Sequence, residues 1–222
     1  MDFDGTLVEI APGPDAITPL PDLAVRLANL DQRMGGRAAL VSGRALSDIE
    51  KHIGPVPIAG AGSHGSDIRL RDGSAVGEAP SGFPVSIRTA LTQFASDNGL
   101  DYEDKPHGGA LHYRASPEKG EEAEAFARQI AEQHGWKAQS GKCVVELVKG
   151  DADKGSAVRA LMQQQPFAGS VPIFVGDDLT DEAGFAACQQ LGGFGILVGE
   201  RASTQAGYKL ADVASVHHWL DL

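Results

Sequence analysis

Near the start of the chain, Asp2-Phe3-Asp4-Gly5-Thr6 sets two carboxylates two positions apart, immediately before a glycine. On a β-strand, side chains at i and i+2 share a face, so Asp2 and Asp4 are expected to converge on one reacting group while Phe3 packs the other way. Two carboxylates at one centre divide the work. One, as an anion, is a nucleophile able to accept a phosphoryl group; the other, with a raised pKa, protonates a leaving oxygen and then activates water. Gly5 lets the chain turn sharply and approach a ligand closely. The same string also reads as a turn carrying solvated acids, so its meaning depends on its partners.

Three later positions offer partners. Ser42 follows the apolar Ala39-Leu40-Val41 and can give its hydroxyl, with neighbouring backbone N–H groups, to a phosphate oxygen; it reads equally as a helix N-cap. Lys154 opens a helical stretch, where its ammonium can neutralise a phosphoryl group at the positive end of the helix, or simply be solvated. Asp177, Asp178 and Asp181 follow the apolar run Val171-Pro-Ile-Phe-Val175. Adjacent carboxylates at the end of such a strand repel unless a cation joins them, and Mg²⁺ takes a few carboxylates together with water and phosphate oxygens. Asp2, Asp4 and Asp177 have that composition, while Asp178 or Thr180 can also cap a helix.

The elements that must position these residues follow from periodicity. Leu23, Leu27, Leu30 and Met34 form a helical core stripe after a Pro-rich loop from Ala11 to Pro21. A short strand within residues 37–44, a helix over 45–52 and a second strand over 57–60 follow, and the rhythm resumes with a helix over 154–164, strands over 171–175 and 195–198, and a helix starting near Thr180. This alternation predicts an α/β fold with a doubly wound parallel sheet, whose ligands bind beyond the carboxyl ends of its strands. Residues 80–149 break the rhythm: helix over 83–98, strand over 110–114, charged helix over 117–134, strand over 143–148. They predict a smaller α+β insert, leaving residues 1–79 and 150–222 as one interrupted catalytic core.

Composition narrows the partners. The chain has 222 residues, a formal charge of -11, 28 glycines and two cysteines, Cys143 and Cys188. The negative charge argues against nucleic acid as a partner and requires local cations or a metal wherever a phosphate binds. Two cysteines build no disulfide framework or zinc site, no apolar run reaches membrane-spanning length, and the N-terminus lacks a signal-peptide layout. A cytoplasmic protein with no membrane partner is expected; the oligomeric state is not legible.

Asp2-Phe-Asp-Gly-Thr6, Ser42, Lys154 and Gly176-Asp-Asp-Leu-Thr-Asp181 follow the order of the four motifs of the haloacid dehalogenase superfamily, which the chain resembles over essentially its whole length. More narrowly, Leu40-Val-Ser-Gly-Arg44, His64-Gly65, Leu111-His-Tyr-Arg114, Val145-Glu146 and Gly176-Asp-Asp-Leu-Thr-Asp-Glu182 resemble the trehalose-6-phosphate phosphatases. The resemblance implies a Mg²⁺-dependent hydrolysis of trehalose 6-phosphate through an aspartyl-phosphate. It makes Asp2 the nucleophile, Asp4 the general acid/base, and Ser42 and Lys154 the holders of phosphoryl oxygens. Phe3, Gly43 and Arg44 adjoin the substrate. Mg²⁺ falls to Asp2, the Asp4 carbonyl and Asp177, with Asp178 and Asp181 behind them.

The insert becomes a mobile sugar-recognising cap in which Glu103, Lys105 and Glu146 bind the disaccharide. Acceptor carboxylates and a donor ammonium suit its hydroxyls, although Glu103 and Lys105 also read as an exposed charged loop. A phosphatase or mutase acting on another sugar phosphate shares the core motifs. A signalling receiver domain shares the acids, hydroxyl and lysine, but has no place for the insert or for a second acid two residues after its nucleophile. The resemblance also implies an apolar strand just before the nucleophile, where only Met1 stands, so a short hydrophobic segment is expected upstream in the native polypeptide.

Overall fold

A computed structural model describes residues 1–11, 14–77, 82–141, 143–150 and 152–222. Residues 12 and 13 of the expected Pro-rich loop, and the expected boundary at residues 79 and 80, lie outside them. In chain order the elements are α1 (Leu23–Arg33), β1 (Ala39–Val41), α2 (Leu46–Ile53), β2 (Ala59–Gly62), β3 (Asp67–Arg69), α3 (Val85–Asn98), β4 (Asp101–Lys105), β5 (Gly108–His112), α4 (Gly120–His134), β6 (Trp136–Gly141), β7 (Val144–Lys149), α5 (Lys154–Met162), β8 (Ile173–Gly176), α6 (Glu182–Gln190), β9 (Phe194–Val198), β10 (Tyr208–Leu210) and α7 (Val213–Leu220). The chain divides into two compact units, Met1–Ala79 with Asp153–Leu222, and Pro80–Ala152.

In the first unit, β1 pairs parallel with β2, and β9 pairs parallel with β8 on one side and β10 on the other; β3 adds an antiparallel edge to β2. The first two residues run between these groups. Met1 O accepts from Val41 N at 2.9 Å and Asp2 N donates to Val175 O at 2.8 Å, which links β1 to β8. Alternation along the strands then divides the core: Leu40, Val175, Ile196 and Val198 pack with Leu23 and Leu27 of α1, Ile49 of α2 and Val216 of α7, whereas Val41, Phe174 and Leu197 pack with Ala157 and Leu161 of α5 and Phe185 of α6. Helices therefore cover both sheet faces, as a doubly wound fold requires.

Two expectations fail locally. Met34 is exposed, because it lies at the C-cap of α1 after the buried Leu23, Leu27 and Leu30. Residues 2–6 do not continue as a strand either. Immediately after Asp2 the chain turns on itself, with the N–H groups of Leu7 and Val8 both donating to the Phe3 carbonyl, so the i, i+2 alternation has no strand to act on.

The second unit is an antiparallel sheet in the order β4-β5-β7-β6. Leu111, Val145 and Leu147 on one face pack against Ile87 and Leu91 of α3 and Ala123, Ala127 and Ile130 of α4. Glu103, Ala110, Glu146 and Gln139 are aligned in register across all four strands and belong to the opposite face. Strands β4 and β6 escape helical or apolar-run patterns in the sequence, because each mixes charged, polar and aromatic residues.

Candidate active site

Asp2, Lys154 and Asp181 form a buried cluster at the carboxyl ends of the strands. Their exposures are 4%, 2% and 0%. Lys154 Nζ lies 2.9 Å from Asp2 Oδ1 and 2.6 Å from Asp181 Oδ1, so Lys154 is not a solvated surface lysine. It is presented at the first turn of α5 because Asp153 caps that helix: the Asp153 carboxylate accepts from Ser156 N–H at 2.6 Å, and the Ser156 hydroxyl accepts from Asp153 N–H at 3.0 Å. Burial alone would lower the ammonium pKa, but Asp181 and Asp2 outweigh it and hold Lys154 well above its ordinary value.

Asp177 brings a third carboxylate. One oxygen from each of Asp2, Asp177 and Asp181 lies within 4.8 Å of the others. A single lysine does not balance three acids. Burial, with Asp181 beside it, pushes Asp177 up to about 7. Burial and the same neighbour hold Asp2 well above the carboxylate range, against the pull of Lys154.

Asp181 has both oxygens engaged, one by Lys154 and the other by Asp178 N–H at 2.8 Å. Asp177 Oδ1, in contrast, is buried and has no hydrogen-bond partner among the described residues. An orphaned oxygen amid excess negative charge fits a hard divalent cation. Gly5 is required beside it. Its φ is +71°, and a Cβ there would stand 2.2 Å from Asp177 Oδ2.

Asp4 stands outside this cluster. Its carboxylate accepts a bidentate pair from Arg44, Nε at 2.6 Å and Nη2 at 2.8 Å, and Arg44 Nη1 donates to Asp48 at 2.8 Å. Asp2 and Asp4 are thus held by different cations, the consequence of the turn at Phe3, which is itself fully buried in the core. Ser42, 1% exposed, follows β1 directly. Its Oγ accepts from Arg44 N–H at 3.1 Å, whereas the N-cap of α2 is Ala45, so Ser42 turns the loop rather than starting the helix. Asp178 does cap the turn over Leu179–Asp181, accepting from Leu179 N–H.

Within the second unit, Lys105 Nζ lies 2.9 Å from Glu146 and 4.0 Å from Glu103. His112 Nε2 sits 2.8 Å from Glu103 Oε2. Burial would raise the Glu103 pKa, but the His112 hydrogen bond and the Lys105 charge outweigh it and hold Glu103 below the usual range. Glu146 is buried and paired, not turned to water, and the three residues form a polar set rather than a solvated loop.

Sequence reasoning missed Arg201 as a site residue. Its guanidinium donates to the carbonyls of Asp177 and Asp178 and to Glu182 Oε1 at 2.8 Å, fixing the turn that carries the acids. Its position three residues past β9 is the signal available, since strand ends line the site in this fold. Asp48, which anchors Arg44, gave only the i, i+4 spacing from that arginine.

A buried aspartate, a lysine and further acids at the carboxyl ends of a doubly wound parallel sheet, with a separate α+β insert, define a phosphoryl-transferring hydrolase of haloacid dehalogenase type. A haloalkanoate-superfamily phosphatase from Bacteroides thetaiotaomicron shares the fold, with a TM-score of 0.67 and 16% identity over 100% of this chain and 91% of that one. The profile described as trehalose-phosphatase matches residues 1–214, and the chain belongs to the trehalose-phosphatase family. It is 38% identical over 224 residues to a protein named trehalose-6-phosphate phosphatase from Escherichia coli K12, covering 100% of this chain and 84% of that protein. A solved trehalose-6-phosphate phosphatase related protein superposes with a TM-score of 0.76 at 26% identity, over 100% of this chain and 94% of that one.

Proposed function

We propose that this protein is a cytoplasmic, Mg²⁺-dependent phosphatase that hydrolyses trehalose 6-phosphate to trehalose and phosphate. The observation that carries this reading is the buried Asp2–Lys154–Asp181 cluster with Asp177 and its orphaned oxygen beside it. The family to which the chain belongs, and the names of the relatives, supply the substrate.

Asp2 as the anion attacks phosphorus in line, forming an acyl phosphate while the bond from phosphorus to the sugar oxygen breaks. The departing oxygen takes a proton from Asp4. The free Asp4 carboxylate then removes a proton from water as the water attacks phosphorus, releasing phosphate and regenerating Asp2. Because Arg44 binds both oxygens of Asp4, that salt bridge has to loosen for the carboxyl group to carry a proton.

Ser42 and the Gly43 N–H, with Lys154, hold the phosphoryl oxygens, and Phe3 and Arg44 border them. Asp2, Asp177 and the Asp4 carbonyl would hold Mg²⁺, which would offset the negative charge of the phosphoryl group. Asp181 orients Lys154, and Asp178 orders the turn behind the acids. Glu103, Lys105 and Glu146 take the sugar hydroxyls, the carboxylates accepting and the ammonium donating.

Phosphate release from trehalose 6-phosphate, glucose 6-phosphate and sucrose 6-phosphate, with and without Mg²⁺, tests the reading. Selective, Mg²⁺-dependent turnover of trehalose 6-phosphate is expected. Comparable turnover of the other two sugars would overturn the substrate assignment.

A further inference from the structure

Beyond β2 the backbone is left-handed at three successive residues: Ser63 at φ 48°, His64 at φ 57° and Gly65 at φ 104°. Glycine accepts such angles freely, but serine and histidine do so only against a steric cost. A cost of this kind persists where the surroundings over-determine the conformation, and it concentrates at functional sites.

The turn grips the Ser42 loop by its carbonyls. His64 N–H donates to Ser42 O at 2.9 Å and Ser63 N–H donates to Arg44 O at 2.8 Å. In a trans peptide the C=O and N–H point in opposite directions. Anchoring the Ser42 carbonyl to the turn therefore aims the Gly43 N–H away from it, and that N–H makes no hydrogen bond among the described residues.

The His64 ring is part of the same clamp. It is 7% exposed, and a Cβ on Gly43 would stand 2.7 Å from its Cε1 and Nε2 atoms. On the other side of the turn, a Cβ on Gly65 would stand 2.7 Å from the carbonyl oxygen of Asp153, the residue before Lys154. The turn is wedged between the two segments that present Ser42 and Lys154.

We propose that His64 is a positioning residue for phosphoryl transfer: its left-handed backbone and buried ring fix the Ser42–Gly43 peptide so that the Ser42 hydroxyl and the Gly43 N–H stand ready for the phosphoryl oxygens. The inference rests on the reading of Ser42 and Gly43 as holders of those oxygens. Donors fixed in advance act most strongly on the charge that develops during transfer. Loss of the clamp therefore falls on kcat and on binding of a transition-state analogue rather than on KM.

His64→Gly tests this, because glycine accepts the left-handed backbone without strain and removes only the ring; His64→Asn, a residue that also tolerates that backbone, is the conservative partner. Each is assayed with trehalose 6-phosphate and with p-nitrophenyl phosphate, alongside inhibition by orthovanadate and thermal unfolding. For His64→Gly we expect kcat to fall about tenfold on both substrates and vanadate affinity to weaken by the same factor. KM and Tm stay near the parent values, and His64→Asn recovers most of the loss.

Wild-type kcat and vanadate affinity in folded His64→Gly would overturn the proposal, as would a drop in Tm with kcat per folded molecule unchanged. Should the unsubstituted protein hydrolyse p-nitrophenyl phosphate but not trehalose 6-phosphate, the substrate reading alone fails. The role of His64 is then decided on p-nitrophenyl phosphate.

Discussion

Replacing Asp177 by Asn is expected to stabilise the metal-free protein while removing most of its response to Mg²⁺. In the fold, burial and Asp181 raise the Asp177 carboxyl from an ordinary 3.8 to about 7. The native state therefore holds this proton more tightly than the unfolded chain, and by linkage stability falls as pH rises across that window, with the full penalty present above about pH 7. At ~1.36 kcal/mol per pKa unit the ceiling is about 4 kcal/mol. Asp177 is only partly buried, so solvent screening reduces this to roughly 1–2 kcal/mol. For a chain of this size that is a rise in Tm of about 2–8 °C.

Thermal unfolding in chelator at about pH 8 and about pH 4 measures the effect. Asp177→Asn should unfold several degrees above the parent at the higher pH and close to it at the lower, where the native carboxyl is protonated and most of the penalty for its charge is gone. Saturating Mg²⁺ should raise the parent Tm by mass action and the variant far less. A variant less stable than the parent in chelator at the higher pH, or an equal Mg²⁺ shift in both, would refute the view that Asp177 is an under-compensated acid awaiting a cation.

Asp2→Asn keeps the size of the side chain but removes the proposed nucleophile, so turnover should drop by at least about 10⁴-fold with Tm retained; steady-state phosphate release and circular dichroism check this, and residual activity near the parent level would rule out a covalent route through Asp2. Gly5→Ala combines a left-handed φ with a Cβ placed 2.2 Å from Asp177 Oδ2. Its kcat should fall at least about 100-fold with a weaker Mg²⁺ requirement curve, which a Mg²⁺ titration of activity measures; unaltered Mg²⁺ dependence would show that the carboxylate does not need the space.

Some of this protein is written locally in its sequence. Alternation and helical spacing mark α1, α3, α4 and the apolar strands β1, β8 and β9, because burial of one face or of both leaves a periodic trace. The acids after β8, the serine after β1 and the lysine at the head of α5 follow from the same pattern, since strand ends and helix starts are readable as breaks in apolar runs. Elements without that trace were not legible: β3 and β10 are three-residue edges, and α7 follows a polar stretch.

The pairing of charges was decided only in three dimensions. Asp2 and Asp4 are two residues apart, yet a turn at Phe3 gives one to Lys154 and Asp181 and the other to Arg44 and Asp48. The left-handed turn at Ser63 and His64 likewise has no local signature, because neither residue type adopts it by default and the surrounding contacts impose it. Sequence by itself determined which side chains stand at the ends of strands, through short-range steric and hydrophobic periodicity. The tertiary structure alone decided which of those side chains meet, since burial and long-range electrostatics depend on segments brought together from Met1 to Arg201.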